Sequence, residues 1–267
     1  MEVYRTQRRG GRGISGVARK DEDFVEDMFI TSTHDYVLFF TNRGKMYRMK
    51  GYEIPETGRA ARGSHVVNLL PIEKDEKISA MIRVDEVENN SYLVMVTRNG
   101  TIKRTALSAY RNVRKGGIIA INLEEGDELA WVRNTTGGDD LIIATRQGVA
   151  IRFAESDVRP MGRTATGVRA IRLDEGDEVI AMATCEEGGY LLTVTENGQG
   201  RRTALGEYRT QNRGGRGVRN YDCEGKGTLV AGVRVVGEED DVILIADDGI
   251  IIRIPVSYTH LRAHETD

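Results

Sequence analysis

The sequence predicts an all-β fold built from repeats of about fifty residues, each contributing short antiparallel strands. Three observations carry that expectation. Five hairpin turns end in Gly44, Gly100, Gly148, Gly198 and Gly249, at intervals of 56, 48, 50 and 51 residues, a period at which circular or stacked repeat architectures occur. Short apolar runs rich in Val, Ile, Thr and Tyr flank each polar turn, as in hairpin strands. No stretch holds an amphipathic helical period for three turns.

The elements repeat in a fixed order. A strand such as Leu129 to Thr135 or Val179 to Cys185 precedes a hairpin, here Leu141 to Arg146 with Val149 to Ala154, or Tyr190 to Thr195 with Gly200 to Leu205. A further run begins at Gly167 or Gly217. The hairpin glycine supplies the positive φ of a tight turn. Four residues beyond it stands an arginine each time: Arg48, Arg104, Arg152, Arg202 and Arg253. Four short strands per unit, set in a ring as in a propeller, limit exposed sheet edges. A β-sandwich or open solenoid is the competing arrangement. The units are expected at about 1–20 (partial), 21–70, 71–123, 124–173, 174–222 and 223–255, forming one domain over 1–255. Pro255 is the last residue that aligns, and 256–267 reads as a non-native tail, so a fragment clipped at both ends is expected.

Charge is sorted by position. Lys and Arg number 38 against 41 Asp and Glu, a formal net charge of −3, yet acid clusters on one turn (124–128, 174–178, 238–241) and base on the hairpins and the loop after them. Nineteen residues past three hairpin glycines come Gly63, Gly167 and Gly217, each preceded at four residues by Arg59, Arg163 or Arg213. The second unit shortens this loop and offers Arg114 and Lys115, while Arg62 and Arg216 add charge in the others. On a ring these loops share one rim. Arginine forks, with glycines that let backbone N–H groups approach, make such a rim a phosphate binder with little sequence preference.

The most basic segment is written twice: Tyr4-Arg5-Thr6-Gln7-Arg8-Arg9-Gly10-Gly11-Arg12-Gly13, and 208–217 with Asn212 in place of Arg8 and Gln211 matching Gln7. Nothing in it beyond the leading tyrosine can enter a core, and its repetition favours an anion clamp over a solvated loop. Gln7 to Gly13 resembles the GyrA box, which marks the C-terminal domain of the DNA gyrase A protein, and 158–170 resembles later repeats of that family. The similarity covers about residues 2 to 255. The resemblance implies a six-bladed β-pinwheel whose blades exchange strands, with one blade incomplete here. It implies that double-stranded DNA wraps around a basic rim, with Gln7, Arg8, Arg9, Gly10, Gly11, Arg12 and Gly13 needed for wrapping. It also implies a cytoplasmic, nucleoid-associated enzyme. Its N-terminal cleavage–religation domain and the gyrase B protein are partners, and its ATP and Mg sites lie in other domains, so no cofactor is expected in this fragment. The domain of topoisomerase IV is a near rival, opposed by the intact box.

Other residues read plainly. His34, His65, His260 and His264 lack ligand spacing, and Cys185 and Cys223 lack a CxxC pattern, which fits a reducing compartment. Trp131, Tyr92 and Tyr190 read as packing residues. No nucleophile constellation and no calcium-loop spacing appears, so no catalytic or metal residue is expected. No run of about 18 apolar residues suggests a membrane partner. A protein-interaction propeller would instead need apolar patches and no basic band. An RNA binder would interleave aromatics with the Arg-Gly loops.

Overall fold

A threonine fixes each of the four described hairpin turns. In the four described turns the carbonyls of Thr41, Thr97, Thr145 and Thr195 accept from the glycine N–H three residues on, at 2.9–3.1 Å. Their hydroxyls accept from the amide that follows this glycine at 3.1–3.3 Å. The turn glycines take φ between 74° and 86°, the geometry of a three-residue loop with a glycine bulge. These contacts come from a computed structural model that describes residues 14–15, 30–56, 63–84, 90–185, 189–245 and 250–256.

The strands in chain order are β1 (Ile14–Ser15), the hairpin β2 (Tyr36–Thr41) and β3 (Lys45–Lys50), β4 (Ile78–Val84), and the hairpin β5 (Tyr92–Thr97) and β6 (Thr101–Ala106). There follow β7 (Ile118–Ile119), β8 (Leu129–Thr135), the hairpin β9 (Asp140–Thr145) and β10 (Val149–Ala154), β11 (Val168–Arg169) and β12 (Val179–Cys185). The last are the hairpin β13 (Tyr190–Thr195) and β14 (Gly200–Ala204), β15 (Val218–Arg219), β16 (Val230–Val236), and the hairpin β17 (Asp241–Ile245) and β18 (Ile250–Pro255).

The sheets interleave along the chain. Their orders are β4-β2-β3-β7, β8-β5-β6-β11, β12-β9-β10-β15, β16-β13-β14 and β17-β18-β1. In each four-stranded sheet the hairpin takes its third strand from the segment just after it and its fourth from beyond the following hairpin. The grouping expected from sequence, in which Val179–Cys185 shares a sheet with Tyr190–Thr195, is corrected: β12 pairs with β9, and β13 with β16. At the ends of the array, Ile14 and Ser15 pair antiparallel with Ile251 and Ile250, so the first strand completes the last hairpin.

Consecutive sheets stack so that both faces of a hairpin are buried. On β5, Leu93 and Met95 pack with Leu38 and Phe40 of the preceding sheet, while Val94 and Val96 pack with Leu141, Ile143 and Ile151 of the next. Alternate residues point to opposite faces, and here both faces are core. That is why these strands read as continuous apolar runs rather than alternating ones. β4, β8, β12 and β16 neighbour one another in succession. They form the inner track of the array, which leaves β7, β11 and β15 on the outer edges of their sheets.

The repeat also runs one residue further than expected. Val256, assigned to the tail, is buried against Leu192 and Val236, and its N–H donates to Asp240 O at 2.8 Å. Gly51, Leu107, Glu155 and Leu205 make the same bond after the other hairpins, to Asp35, Ser91, Asp139 and Gly189.

Candidate nucleic-acid interface

The hairpin arginines turn inward along their own sheets. Each sits diagonally across from the residue that opens its hairpin, within reach of a long side chain. Where that residue is tyrosine the guanidinium lies over the ring, at 4.5 Å for Arg48 on Tyr36, 4.7 Å for Arg104 on Tyr92 and 4.4 Å for Arg202 on Tyr190. Where it is aspartate an ion pair forms, as between Arg152 and Asp140 at 2.8 Å, and between Arg253 and Asp241. In three of them the far end of the fork reaches the next unit, Arg104 by donating to Gly137 O at 3.3 Å. Arg48 Nη1 donates to Arg111 O and Arg152 Nη1 to Leu205 O, at 2.8 and 2.9 Å.

Arg104 goes furthest in. It is 7 % exposed and faces the wholly buried Glu155 at 3.5 Å. Its expectation as a DNA contact is corrected, because a phosphate cannot reach it. Arg48, Arg152 and Arg202 are half-buried, and the first two brace a hairpin against the loop that follows.

The loop residues lie on the outer edges. Arg163 Nη1 donates to Ile119 O at 2.8 Å, so the basic loop of one unit crosses the outer strand β7 of the sheet before it. One unit on, Arg213 repeats this contact with Arg169 O on β11 at 3.0 Å, and also donates to Asp157 O at 3.0 Å. The backbones join as well, through Asn122 N to Ala165 O (3.3 Å) and Arg172 N to Gly215 O (2.8 Å). A Cβ on Gly217 would stand 2.5 Å from Ala150 O, so the end of this loop can close on β10 only as glycine.

Arg114, Lys115 and Arg216 are exposed along the same loops. Arg48, Arg111, Arg114 and Arg163 line a cleft of about 620 Å³ against Ile118 and Ile119. The N–H of Gln211 donates to Arg152 O at 2.8 Å, and its Nε2 is buried with no hydrogen-bond partner among the described residues. Arg5, Gln7, Arg8, Arg9, Gly10, Gly11, Arg12 and Gly13, with Arg59 and Arg62, lie outside the described residues.

Sequence reading passed over further exposed cations on this edge: Arg111, Arg159, Arg169, Arg209 and Arg219. A signal for two of them was available, since Gly167-Val168-Arg169 and Gly217-Val218-Arg219 are the same tripeptide and form the outer strands.

Acid takes the hairpin tips. Asp127 Oδ1 accepts from the N–H groups of Asn99 and Glu128 at 3.0 and 2.8 Å, and Asp177 Oδ1 from those of Gln147 and Glu178 at 2.9 Å. Beside them Arg98 bridges Glu128 and Glu178, and Arg146 bridges Glu178 and Glu196, at 2.7–3.5 Å. The cations nearest the acidic turns are thus neutralised there, and other exposed ones collect on the outer strands and loops. An edge of that composition attracts a polyanion.

Comparison with known proteins bears on this geometry. A family model described as the DNA gyrase C-terminal domain, β-propeller, matches residues 2–32, 35–85, 91–136, 139–186, 189–236 and 240–257. The DNA gyrase A protein of Clostridium acetobutylicum is 54 % identical over 256 residues, covering 96 % of this chain and 31 % of that protein. That of Halalkalibacterium halodurans is 56 % identical over 168 residues, 63 % of this chain and 20 % of that protein. The chain thus spans a third or less of the length of these relatives. Among solved structures, a DNA gyrase A C-terminal domain superposes with a TM-score of 0.79 at 25 % identity, covering 96 % of this chain and 84 % of that one. The C-terminal domain of a DNA topoisomerase IV gives 0.77 at 29 %, covering 89 % and 76 %. With repeats matched from end to end and five sheets interleaved through exchanged strands, the chain belongs to the DNA gyrase C-terminal domain family.

Proposed function

We propose that this chain binds double-stranded DNA along the outer edges of its sheets and bends it around them, as the wrapping module of a DNA gyrase A protein. The observation that carries the reading is the pair of crossings by Arg163 and Arg213, each over the outer strand of the preceding sheet. Loops that overlap edge to edge make their cations one track rather than separate patches. Bending a duplex by 40–90° over 20–30 bp costs on the order of 1–6 kcal/mol, which favours attraction distributed along a path over one tight site. The box at 7–13 would mark where the wrapped path begins or ends.

In the complete enzyme the wrapped segment would be passed to the cleavage–religation domain of the same polypeptide, working with the gyrase B protein. Strand passage driven by ATP, in the presence of Mg, would then leave negative supercoils. This chain supplies the bend and none of the bond chemistry, in the cytoplasm beside the nucleoid. On this reading residues 1–256 act as one wrapping domain. A topoisomerase IV origin would share the architecture, as the structural match allows, but the intact box favours gyrase. The salt dependence of duplex affinity tests the reading. It should fall steeply and linearly on a logarithmic plot, as for a protein displacing counterions from several phosphates, and a flat response would overturn it.

A further inference from the structure

Beneath the crossing of Arg163 over β7 lies a buried cation that DNA cannot reach. Lys103 is 0 % exposed. Its Nζ donates to Ala120 O at 2.6 Å and also to Arg163 O, joining the end of the outer strand to the basic loop. Tyr110 donates to the same Ala120 O at 2.9 Å. Burying an ammonium is costly, and burial, with the Arg163 charge second, pushes Lys103 down to about 8. One unit on, the equivalent position holds Ile151, buried and apolar.

The loops above the two positions explain the exchange. Over Ile151 the loop reads Arg213-Gly214-Gly215, Gly214 takes φ 79°, and its N–H donates to Ala170 O at 2.6 Å. Over Lys103 it reads Arg163-Thr164-Ala165. Thr164 is not among the residues with positive φ, and its amide makes no backbone bond to Ala120 O. The carbonyl that glycine satisfies in one unit is satisfied in the other by the lysine, alongside the Tyr110 hydroxyl.

Resting on the DNA reading above, we infer that Lys103 is a positioning residue of the DNA-binding edge. Its ammonium stands in for a missing glycine amide and holds Arg163 where the glycine-rich loop holds Arg213. The test compares Lys103→Ile, Thr164→Gly and the double variant, which copies the neighbouring unit, by amide hydrogen exchange over residues 161–167 and by affinity for a linear duplex. Lys103→Ile should speed exchange in the loop and weaken duplex binding by about tenfold, the scale of one charge-assisted hydrogen bond. The double variant should recover both, and Thr164→Gly alone should change neither. Wild-type exchange and affinity in a folded Lys103→Ile, or no recovery in the double variant, overturns the inference. If Lys103→Ile does not fold, a folded double variant supports it and an unfolded one overturns it. A wild type that fails to bind duplex DNA sinks the DNA reading instead, while the exchange measurement still decides the role of Lys103.

Discussion

At the scale of single residues, the hairpin arginine illustrates how one side chain is used differently by changing its neighbour. Tyrosine at the strand opening receives the guanidinium on its ring, and aspartate receives it as an ion pair. Arg104 is the extreme case because Glu155 stands where Leu107 and Leu205 stand in adjacent units. Removing one partner of a buried pair leaves an uncompensated charge, whereas removing both need not. Arg104→Met should therefore cost about 3–5 kcal/mol in denaturant unfolding, and Arg104→Met with Glu155→Leu should recover most of it. Equal losses in the single and double variants would contradict the pairing. At the exposed edge, Asn212→Arg should steepen the logarithmic salt dependence of DNA affinity by about 0.9, one more phosphate engaged; an unchanged slope would place position 212 off the path. The arginines were legible as a period, but their direction was not. The signal for it was the Tyr or Asp twelve residues before each one, at 36, 92, 140, 190 and 241.

At the scale of elements, hairpins and their turns followed from Thr, Gly and the apolar runs, while strand exchange did not. β11 is two residues long and pairs with Ile102, 66 positions earlier. A strand so short has no periodicity to read, and pairing at that distance leaves no local trace. The basic loops were legible where glycine marks them, but Lys103 was not, because its reason is a threonine sixty-one residues away. Its titration gives this junction a pH signature. Lys103 falls from an ordinary 10.5 to about 8 in the fold, so between those values the unfolded chain binds more protons. Stability should then rise with pH across that window, by at most about 3 kcal/mol. Urea unfolding at pH 7 and pH 10 should show this gain in the wild type relative to Lys103→Ile, and a relative loss would contradict it.

At the scale of the molecule, a net charge of −3 conceals a division of labour. Acidic turns cap hairpin tips and tie up Arg98 and Arg146, and other cations lie along outer strands joined by overlapping loops. Composition alone argues against a polyanion partner, and position within the repeat argues for one. Exposed ion pairs at the tips are individually weak and screened by salt. Salt should accordingly weaken DNA binding well before it unfolds the array, a difference that circular dichroism and binding measured in parallel would reveal.

The most direct measurement is the linking number of a nicked plasmid sealed by ligase in the presence of the chain. Wrapping predicts topoisomers displaced from the protein-free distribution in proportion to bound chain, with the displacement lost when Arg8, Arg9 and Arg12 become alanine while part of the affinity remains. A distribution unmoved at saturating protein would mean that the basic edge holds DNA without bending it around the sheets.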